Sequence, residues 1–496
     1  MGYTPLAESP MPALRRRFVL LRDMLLPTTF GAAARETALH ATSPRFSVPA
    51  TPAASLLIHA AVLLLWLVLL AQAFFGHGIA GWSVGIVYIS YDTILLAFTF
   101  WQTWPLRRPP DTKPPPKSVP GITVIIAAYN EAAVLAGTIA ALQRQSSLPN
   151  AIIIADDGST DATAALLESR YRLHAPGGGI SPANPAFPGL RWLRLPHAGK
   201  AAALNRALGY VGTELFVTVD ADTKLAPDAI FAMRSAFAAQ PGLVAATGVL
   251  TPHCAPDFAG RCFQWFQTYE YVRNFLSRYA WGRMDALLLI SGAFAGFRLD
   301  AVDEVGGFDP DCLVEDYELI HRLRRYGYRH GRNWHSAAIG SARATTSAPG
   351  SILAFLRQRR RWFGGFLQTQ FWYREMVGNP KYDKLGIWML TVKAVDTLQP
   401  VYGLCAFALL IFYIVTGQTA LLIPVGGFII GKIILDLGFH AWSIQLYRNW
   451  AGGQSKVGFG PALLAAIIEP FSFQLLRHLG ACWGWVRFLT GTKSWS

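Results

Sequence analysis

Apolar residues on this chain fall into long unbroken blocks towards both ends and short runs between them. The first long block, Ala53–Phe75, is followed after Gly76–Gly81 by a second, Trp82–Trp104, whose one charge is Asp92. As a helix, the first would be about 34 Å long at ~1.5 Å per residue, enough for a ~30 Å hydrocarbon core. Blocks near 386–416, 419–446 and 461–490 predict about three C-terminal spans. The first carries Lys393 and Asp396 early, which puts its start at the interface and the crossing at 397–416. The last contains Glu469-Pro470 and Arg477 and reads as one kinked crossing, the preferred reading, or as a broken re-entrant pair. Lys432 and Asp436 share one helical face, where they either neutralise each other or face a polar channel.

In the middle of the chain the period changes. Ile122–Ala128, Ala151–Ala155 and Leu215–Val219 are short apolar runs and Leu190–Leu195 alternates, with helical stretches over Glu131–Gln145 and from Ser159. This alternation predicts an α/β domain with a parallel sheet, which binds ligands at the carboxyl ends of its strands. His174–Gly189, rich in Gly and Pro, reads as a surface loop. Glu315-Asp316 opens an amphipathic helix, Tyr317–Tyr326, and Ile352–Met376 is a second, of the kind that rests on a membrane surface. The expected division is an N-terminal arm (1–50), two spans (51–104), a basic Pro-rich linker (105–120), an α/β domain (121–345), an interfacial region (346–384) and C-terminal spans (385–496).

Composition supports a membrane protein: of 496 residues 52% are hydrophobic and 15% charged, with mean hydropathy +0.30. The net charge of +14 is carried largely by flanks such as Arg15–Arg17 and Arg107, Arg108, Lys113 and Lys117. With a neutral loop between these flanks, the positive-inside rule places residues 121–345 in the cytoplasm. The charge also suits anionic nucleotide sugars and lipid head groups, whereas no nucleic-acid motif accompanies it. Five scattered cysteines show no CxxC spacing, so structural thiols are expected. No signal-peptide pattern precedes residue 30, and Phe18–Leu26 reads as part of a cytoplasmic arm with an interfacial helix.

The candidate chemistry sits at strand ends. Asp220 and Asp222 follow an apolar strand, and two hard carboxylates there suit Mg²⁺ or Mn²⁺ bridging to a diphosphate, although a strand-end turn also explains them. Asp156-Asp157-Gly158-Ser159 reads as a turn and helix cap; with Ser159 as the cap, a carboxylate is left for the base or ribose of a nucleotide. Gly199-Lys200 opens a helix and suits phosphate, without the spacing of a P-loop. Glu315-Asp316 is either a pair of dipole-stabilising acids or the source of a base that deprotonates a sugar hydroxyl. In Gln358-Arg-Arg-Arg361-Trp362, arginine can hold pyrophosphate and tryptophan can stack on a sugar.

The set AYNE, DDGST, GK, DAD, SGAF, ED and QRRRW, from about Ile122 to Gly365, resembles the processive family-2 glycosyltransferases of membranes, among them cellulose, hyaluronan, chitin and poly-N-acetylglucosamine synthases. The resemblance implies a GT-A-type nucleotide-sugar domain joined to an α-helical transmembrane region, with interfacial amphipathic helices that include Phe263–Trp281. It implies that Tyr129, Glu131 and Asp157 bind uridine, Lys200 and Asp220 hold phosphates, and Asp222 coordinates the metal with Asp220. Asp316 would be the general base, supported by Glu315. Gln358, Arg361 and Trp362 would close over the donor and position the acceptor, with Ser291, Gly292 and Ala293 lining the acceptor site. The implied reaction is inverting, processive synthesis of a β-linked exopolysaccharide from UDP-glucose or UDP-N-acetylglucosamine at a multi-pass cell membrane, that of the bacterial inner membrane. The growing polysaccharide and the bilayer are the expected partners, and an accessory export subunit is compatible. Single-sugar transfer to a lipid and an inactive scaffold subunit are the alternatives. The wording of SGAF and EDYEL is nearest to poly-N-acetylglucosamine and related synthases. Val314 stands where several relatives have threonine, no cyclic-di-GMP-sensing barrel follows the last span, and the first fifty residues have no evident counterpart.

Overall fold

A computed structural model describes residues 29–76, 78–108, 118–174, 179–184, 186–187, 189–452 and 458–491. Arg15–Arg17, Phe18–Leu26, Lys113, Lys117, Lys456 and parts of the loop 174–189 lie outside the described residues.

Among the described residues three α-helices, α1 (Thr29–Thr42), α2 (Ala53–Phe75) and α3 (Ser83–Thr103), precede the sheet. There follow β1 (Ile122–Ala128), α4 (Ala132–Gln143), β2 (Ala151–Asp156), α5 (Thr163–Tyr171), β3 (Leu190–Arg194), α6 (Lys200–Leu208), β4 (Leu215–Asp220), β5 (Lys224–Leu225) and α7 (Ala229–Ala239). Next come β6 (Leu243–His253), α8 (Phe258–Arg283), β7 (Phe294–Arg298), α9 (Leu299–Val305), α10 (Glu315–Arg329), β8 (His335–Ser347) and α11 (Ile352–Trp372). The chain ends in α12 (Leu390–Asp396), α13 (Gln399–Val415), α14 (Thr419–Ala451), α15 (Phe459–Ile468) and α16 (Phe473–Thr490).

The eight strands form one sheet in the order β3-β2-β1-β4-β7-β6-β8-β5. The first four are parallel; the unbroken apolar runs of β1, β2 and β4 follow from burial on both faces, whereas β3, at the edge, carries two arginines. The rest corrects the expectation of a wholly parallel sheet and makes it mixed: β7 is antiparallel to β4 and to β6, and β5 to β8, while β6 and β8 pair in parallel. β8 is written largely in Ala, Gly, Thr and Ser, and β7 and β5 are only five and two residues long, so none of them carries much period-2 signal. The order reverses beside β1, where β2 and β3 lie on one side and β4 on the other. That reversal opens a crevice at the strand carboxyl ends, where Tyr129, Asp157 and Asp220 emerge.

The N-terminal segment is partly built into this domain. Arg35 pairs with Asp303 at 2.7 Å, Arg325 donates to the Thr42 carbonyl at 2.7 Å, and Arg45 reaches the buried Asp309 at 3.2 Å. The portion of the expected arm from residue 29 onwards thus packs on α9 and α10.

Among the described residues three helices are long and apolar enough to cross a membrane (Ala53–Phe75, Gly78–Arg107 and Thr419–Ala451), or up to five if each bent pair is one span. The bent pairs are Leu385–Asp396 with Gln399–Val415, at 41°, and Phe459–Phe471 with Phe473–Thr490, at 48°. The second bend falls at Glu469-Pro470, where proline lacks the N–H needed to continue the helix. Between these helices lies a cavity of about 150 Å³ lined by polar groups that include Tyr88, Asp92, Lys432, Glu469 and Gln474. Lys432 pairs with Asp436 and also with Asp92 across the bundle at 2.6 Å, so it is both neutralised and turned to the cavity.

Candidate active site

The carboxyl end of β2 supplies two acids with separate tasks. Asp156 accepts from the Ser159 amide at 2.9 Å and from the Trp192 indole at 3.1 Å. Ser159 accepts from the Asn130 amide at 2.9 Å and does not cap a helix, since α5 begins at Thr163. Asp157 is less free than expected. Its two oxygens accept from the amides of Ala198 (2.8 Å) and Gly199 (2.9 Å), and His197 Nδ1 lies 2.8 Å from Oδ2. Gly158, at φ +76°, makes the approach feasible, because a Cβ there would meet the His197 nitrogen at 2.7 Å. Asp157 therefore clamps the loop that opens α6, and the clamp stacks His197 on the exposed ring of Tyr129, with centroids 4.3 Å apart and planes at 22°. His197 lies in the quoted His-Ala-Gly-Lys run, yet its ring contact with Tyr129 depends on a residue 68 positions away in the chain and has no local signal.

Lys200 opens α6 and places its ammonium 2.5 Å from Asp220 and 3.5 Å from Glu315. Burial alone would lower its pKa; the attraction of Asp220, Glu315 and Asp316 outweighs that and raises it, so the cation is held. Asp222, in the turn after β4, accepts at 3.3 Å from Thr223 and from Thr346 of β8, a partner that the sequence pattern did not mark. Burial and the charge of Asp220 raise the Asp222 pKa. Burial, Asp222, Asp220 and Asp161 together push Glu131 up to about 7. Among the described residues no three His, Cys, Asp or Glu side chains close on one point as a ready cage. Two hard carboxylates under mutual repulsion fit a divalent cation that takes its remaining ligands from water and diphosphate.

Asp316 stands across the crevice in the first turn of α10. Its Oδ2 accepts from the Gly292 amide at 2.6 Å and Oδ1 from the Tyr317 amide at 2.8 Å. A Cβ on Gly292 would lie 2.8 Å from Oδ2, so the small residue serves the carboxylate directly. The Gly292 carbonyl accepts from Thr218 of β4 at 3.1 Å, and the Ser291 carbonyl accepts from the Phe294 amide at 3.1 Å. Burial and the adjacent Glu315 raise Asp316 to about 6, against the opposing pull of Lys200 and the two amides.

α11 lies against the residue that precedes this pair: a Cβ on Gly365 would meet Val314 Cγ2 at 2.3 Å. Trp362 is half-buried against the cluster that contains Val314 and Tyr317, and Gln358 Oε1 is buried without a partner. Arg359 turns to Glu270 of α8 at 2.8 Å and lies 4.6 Å from the Trp362 ring centroid, while Arg361 lies within electrostatic reach of Arg487.

Two sequence profiles match in overlap: glycosyl transferase family 2 over residues 123–306 and glycosyl transferase family group 2 over 215–423. Together the two matches place residues 123–423 in glycosyltransferase family 2. It is similar to the poly-β-1,6-N-acetyl-D-glucosamine synthase of Staphylococcus epidermidis, with 27% identity over 336 residues, 66% of this chain and 72% of that one. The synthase of the same name from Staphylococcus aureus strain COL is 30% identical over 249 residues, 50% of this chain and 54% of that one. Among solved structures, the mannosyltransferase PcManGT from Pyrobaculum calidifontis, in complex with GDP-Man and Mn²⁺, superposes with a TM-score of 0.50. At 19% identity, covering 79% of this chain and 99% of that one, it shows a shared GT-A-like fold. This family-2 glycosyltransferase thus combines a GT-A-like domain with helices apolar enough to span a membrane.

Proposed function

We propose that this glycosyltransferase is a processive, inverting β-glycan synthase. It would take a UDP-sugar at the cytoplasmic face of the cell membrane and pass the product outward through the helical bundle. The observation that carries this reading is the opposition of Asp316, buried and raised towards neutrality, to the Lys200–Asp220–Asp222 corner at the β4 end. A base poised near working pH faces a corner suited to a diphosphate, which is the arrangement an in-line displacement needs. Tyr129 and His197 would carry the uracil, with Asp157 holding their loop. Lys200 would bind phosphate in exchange for Asp220. Asp222 and Asp220 would hold Mg²⁺ or Mn²⁺, which would neutralise charge on the departing UDP. Gln358, Arg361 and Trp362 would close the site from α11. The named relatives favour UDP-N-acetylglucosamine as donor.

The test is protein in lipid nanodiscs supplied with Mg²⁺ or Mn²⁺ and, separately, radiolabelled UDP-glucose or UDP-N-acetylglucosamine, with products sized. High-mass polymer from one donor is expected; a single-sugar lipid product would replace the processive reading.

Two further results are expected from the same geometry. Asp316 must be ionised to accept a proton, so transfer at saturating donor should fall about tenfold per pH unit once pH drops below about 6. A rate independent of pH between 5 and 7 would remove Asp316 from that role. Gly292→Ala should displace the carboxylate and slow transfer by about 10–100-fold while UDP affinity holds. Equal loss of UDP binding would mean that the substitution disturbs the whole crevice.

A further inference from the structure

Among the arginines of Gln358-Arg-Arg-Arg361-Trp362, Arg359 is turned inward. Its guanidinium donates to Glu270 of α8 at 2.8 Å, and its side chain is 11% exposed. The guanidinium carbon also lies 4.6 Å from the ring centroid of Trp362 and 4.5 Å from that of Phe355. An arginine committed in this way is not offered to a pyrophosphate; it supports the tryptophan from its face.

Glu270 does not serve Arg359 alone. Its other oxygen lies 3.4 Å from Arg477 of α16, and Arg477 reaches Glu469 at 3.4 Å. Glu469 accepts at 2.6 Å from Arg273, one turn beyond Glu270 on α8. Both acids are almost wholly buried, and each lies between two cations, so loss of either would leave charge uncompensated. The network ends at the bend of the second bent pair, where Arg273, Glu469 and Arg477 line the cavity between the membrane helices.

Packing makes this link short and stiff. On α16 a Cβ at Gly480 would meet Arg359 Cβ at 2.6 Å, and one at Gly484 would lie 3.0 Å from the Gly364 nitrogen, so two glycines let α16 seat directly on α11. The rings of Phe263 (α8), Phe355 (α11) and Phe473 (α16) have centroids 4.6 to 6.0 Å apart. The same α11 abuts the residues that lead into Asp316: Gln368 accepts from the Leu313 amide at 3.1 Å, and Gly365 admits Val314. Trp362 stands one turn before Gly365 on this helix.

We propose that Glu270 is a positioning residue for sugar transfer. Through Arg359 it fixes the ring of Trp362 beside the chain that carries Asp316, and through Arg477 and Glu469 it ties that ring to the bend in the membrane helices. The proposal rests on the reading of Trp362 as the residue that positions the acceptor. A displaced ring leaves the donor bound and the acceptor hydroxyl misplaced, so the loss falls on transfer.

The test is a double-mutant cycle on protein in nanodiscs. It is read in single-turnover transfer of labelled sugar from UDP-N-acetylglucosamine or UDP-glucose to whichever product the wild type forms, polymer or lipid. Glu270→Gln and Trp362→Ala should each slow transfer about 10–100-fold, with UDP affinity within about twofold of wild type. The double variant should stay within about threefold of Trp362→Ala, because Glu270 then has no ring left to place. Glu270→Asp, which keeps the charge, should recover part of the rate. Arg359→Met, in which Glu270 still has Arg477 as partner, should match Glu270→Gln and decides the matter if Glu270→Gln binds no UDP. Losses that multiply in the double variant overturn the proposal, since Glu270 would then act independently of Trp362. So does a Glu270→Gln rate within about threefold of wild type, or a UDP affinity that falls in step with transfer in both Glu270→Gln and Arg359→Met. A wild type that transfers no sugar overturns the synthase reading as well, whereas multiplying losses in an active wild type leave that reading standing.

Discussion

Asp316→Asn is expected to lower sugar transfer by about 10³-fold, within the range for loss of a positioned general base, while donor binding changes by less than about twofold. Asparagine keeps the shape and an oxygen for the Gly292 amide, which now lies 2.6 Å from Oδ2. It cannot take the acceptor proton. Lys200 keeps Asp220 and Glu315, so the corner proposed to take the diphosphate should stay charged as before. Single-turnover transfer of labelled sugar, set beside a UDP-binding titration, separates the two effects. Transfer within tenfold of wild type would assign the base elsewhere. Glu315→Gln supplies a companion test with a fixed sign. Glu315 raises the Asp316 pKa, so its neutralisation should lower that pKa and move the acidic limb of the rate profile to lower pH.

Why some of this was readable from sequence and some was not follows from the distances over which each feature is determined. β1, β2 and β4 are buried on both faces, so each is a local apolar run, and the acids that follow them are marked by position alone. The role of Asp157 was only half legible: its place at a strand end is local, but the amides it holds lie 41 and 42 residues on. Asp222 likewise finds Thr346 across 124 residues. The packing of α1 depends on Gly306, at φ +92°, where a Cβ would come within 2.2 Å of the Leu39 nitrogen. Nothing in TFGAAARETALHAT specifies that partner.

The second large effect is expected beneath Asp316. Arg322→Met should destabilise the GT-A-like domain by about 3–5 kcal/mol, the usual cost of leaving one member of a buried ion pair uncompensated. Arg322 and Glu318 are both fully buried, 2.8 Å apart at their nearest. The guanidinium also donates to the Val305 carbonyl at 2.7 Å and the Gly307 carbonyl at 2.6 Å, and the Tyr373 hydroxyl donates to Glu318 at 2.6 Å. One charge pair thereby joins α10 to the end of α9 and to the chain leaving α11, two turns from Asp316. Burial already raises the Glu318 pKa and Arg322 opposes this, so without Arg322 the acid should protonate or draw in water. Glu318→Leu combined with Arg322→Met should regain much of the stability, since apolar replacements of buried pairs are often neutral or better. The carbonyls of Val305 and Gly307 would still lose their donor. If the pair serves mainly to fix the register of α10, the double variant should unfold near wild-type denaturant concentration yet transfer sugar more slowly. Stability and rate recovering together would reduce the pair to a packing element.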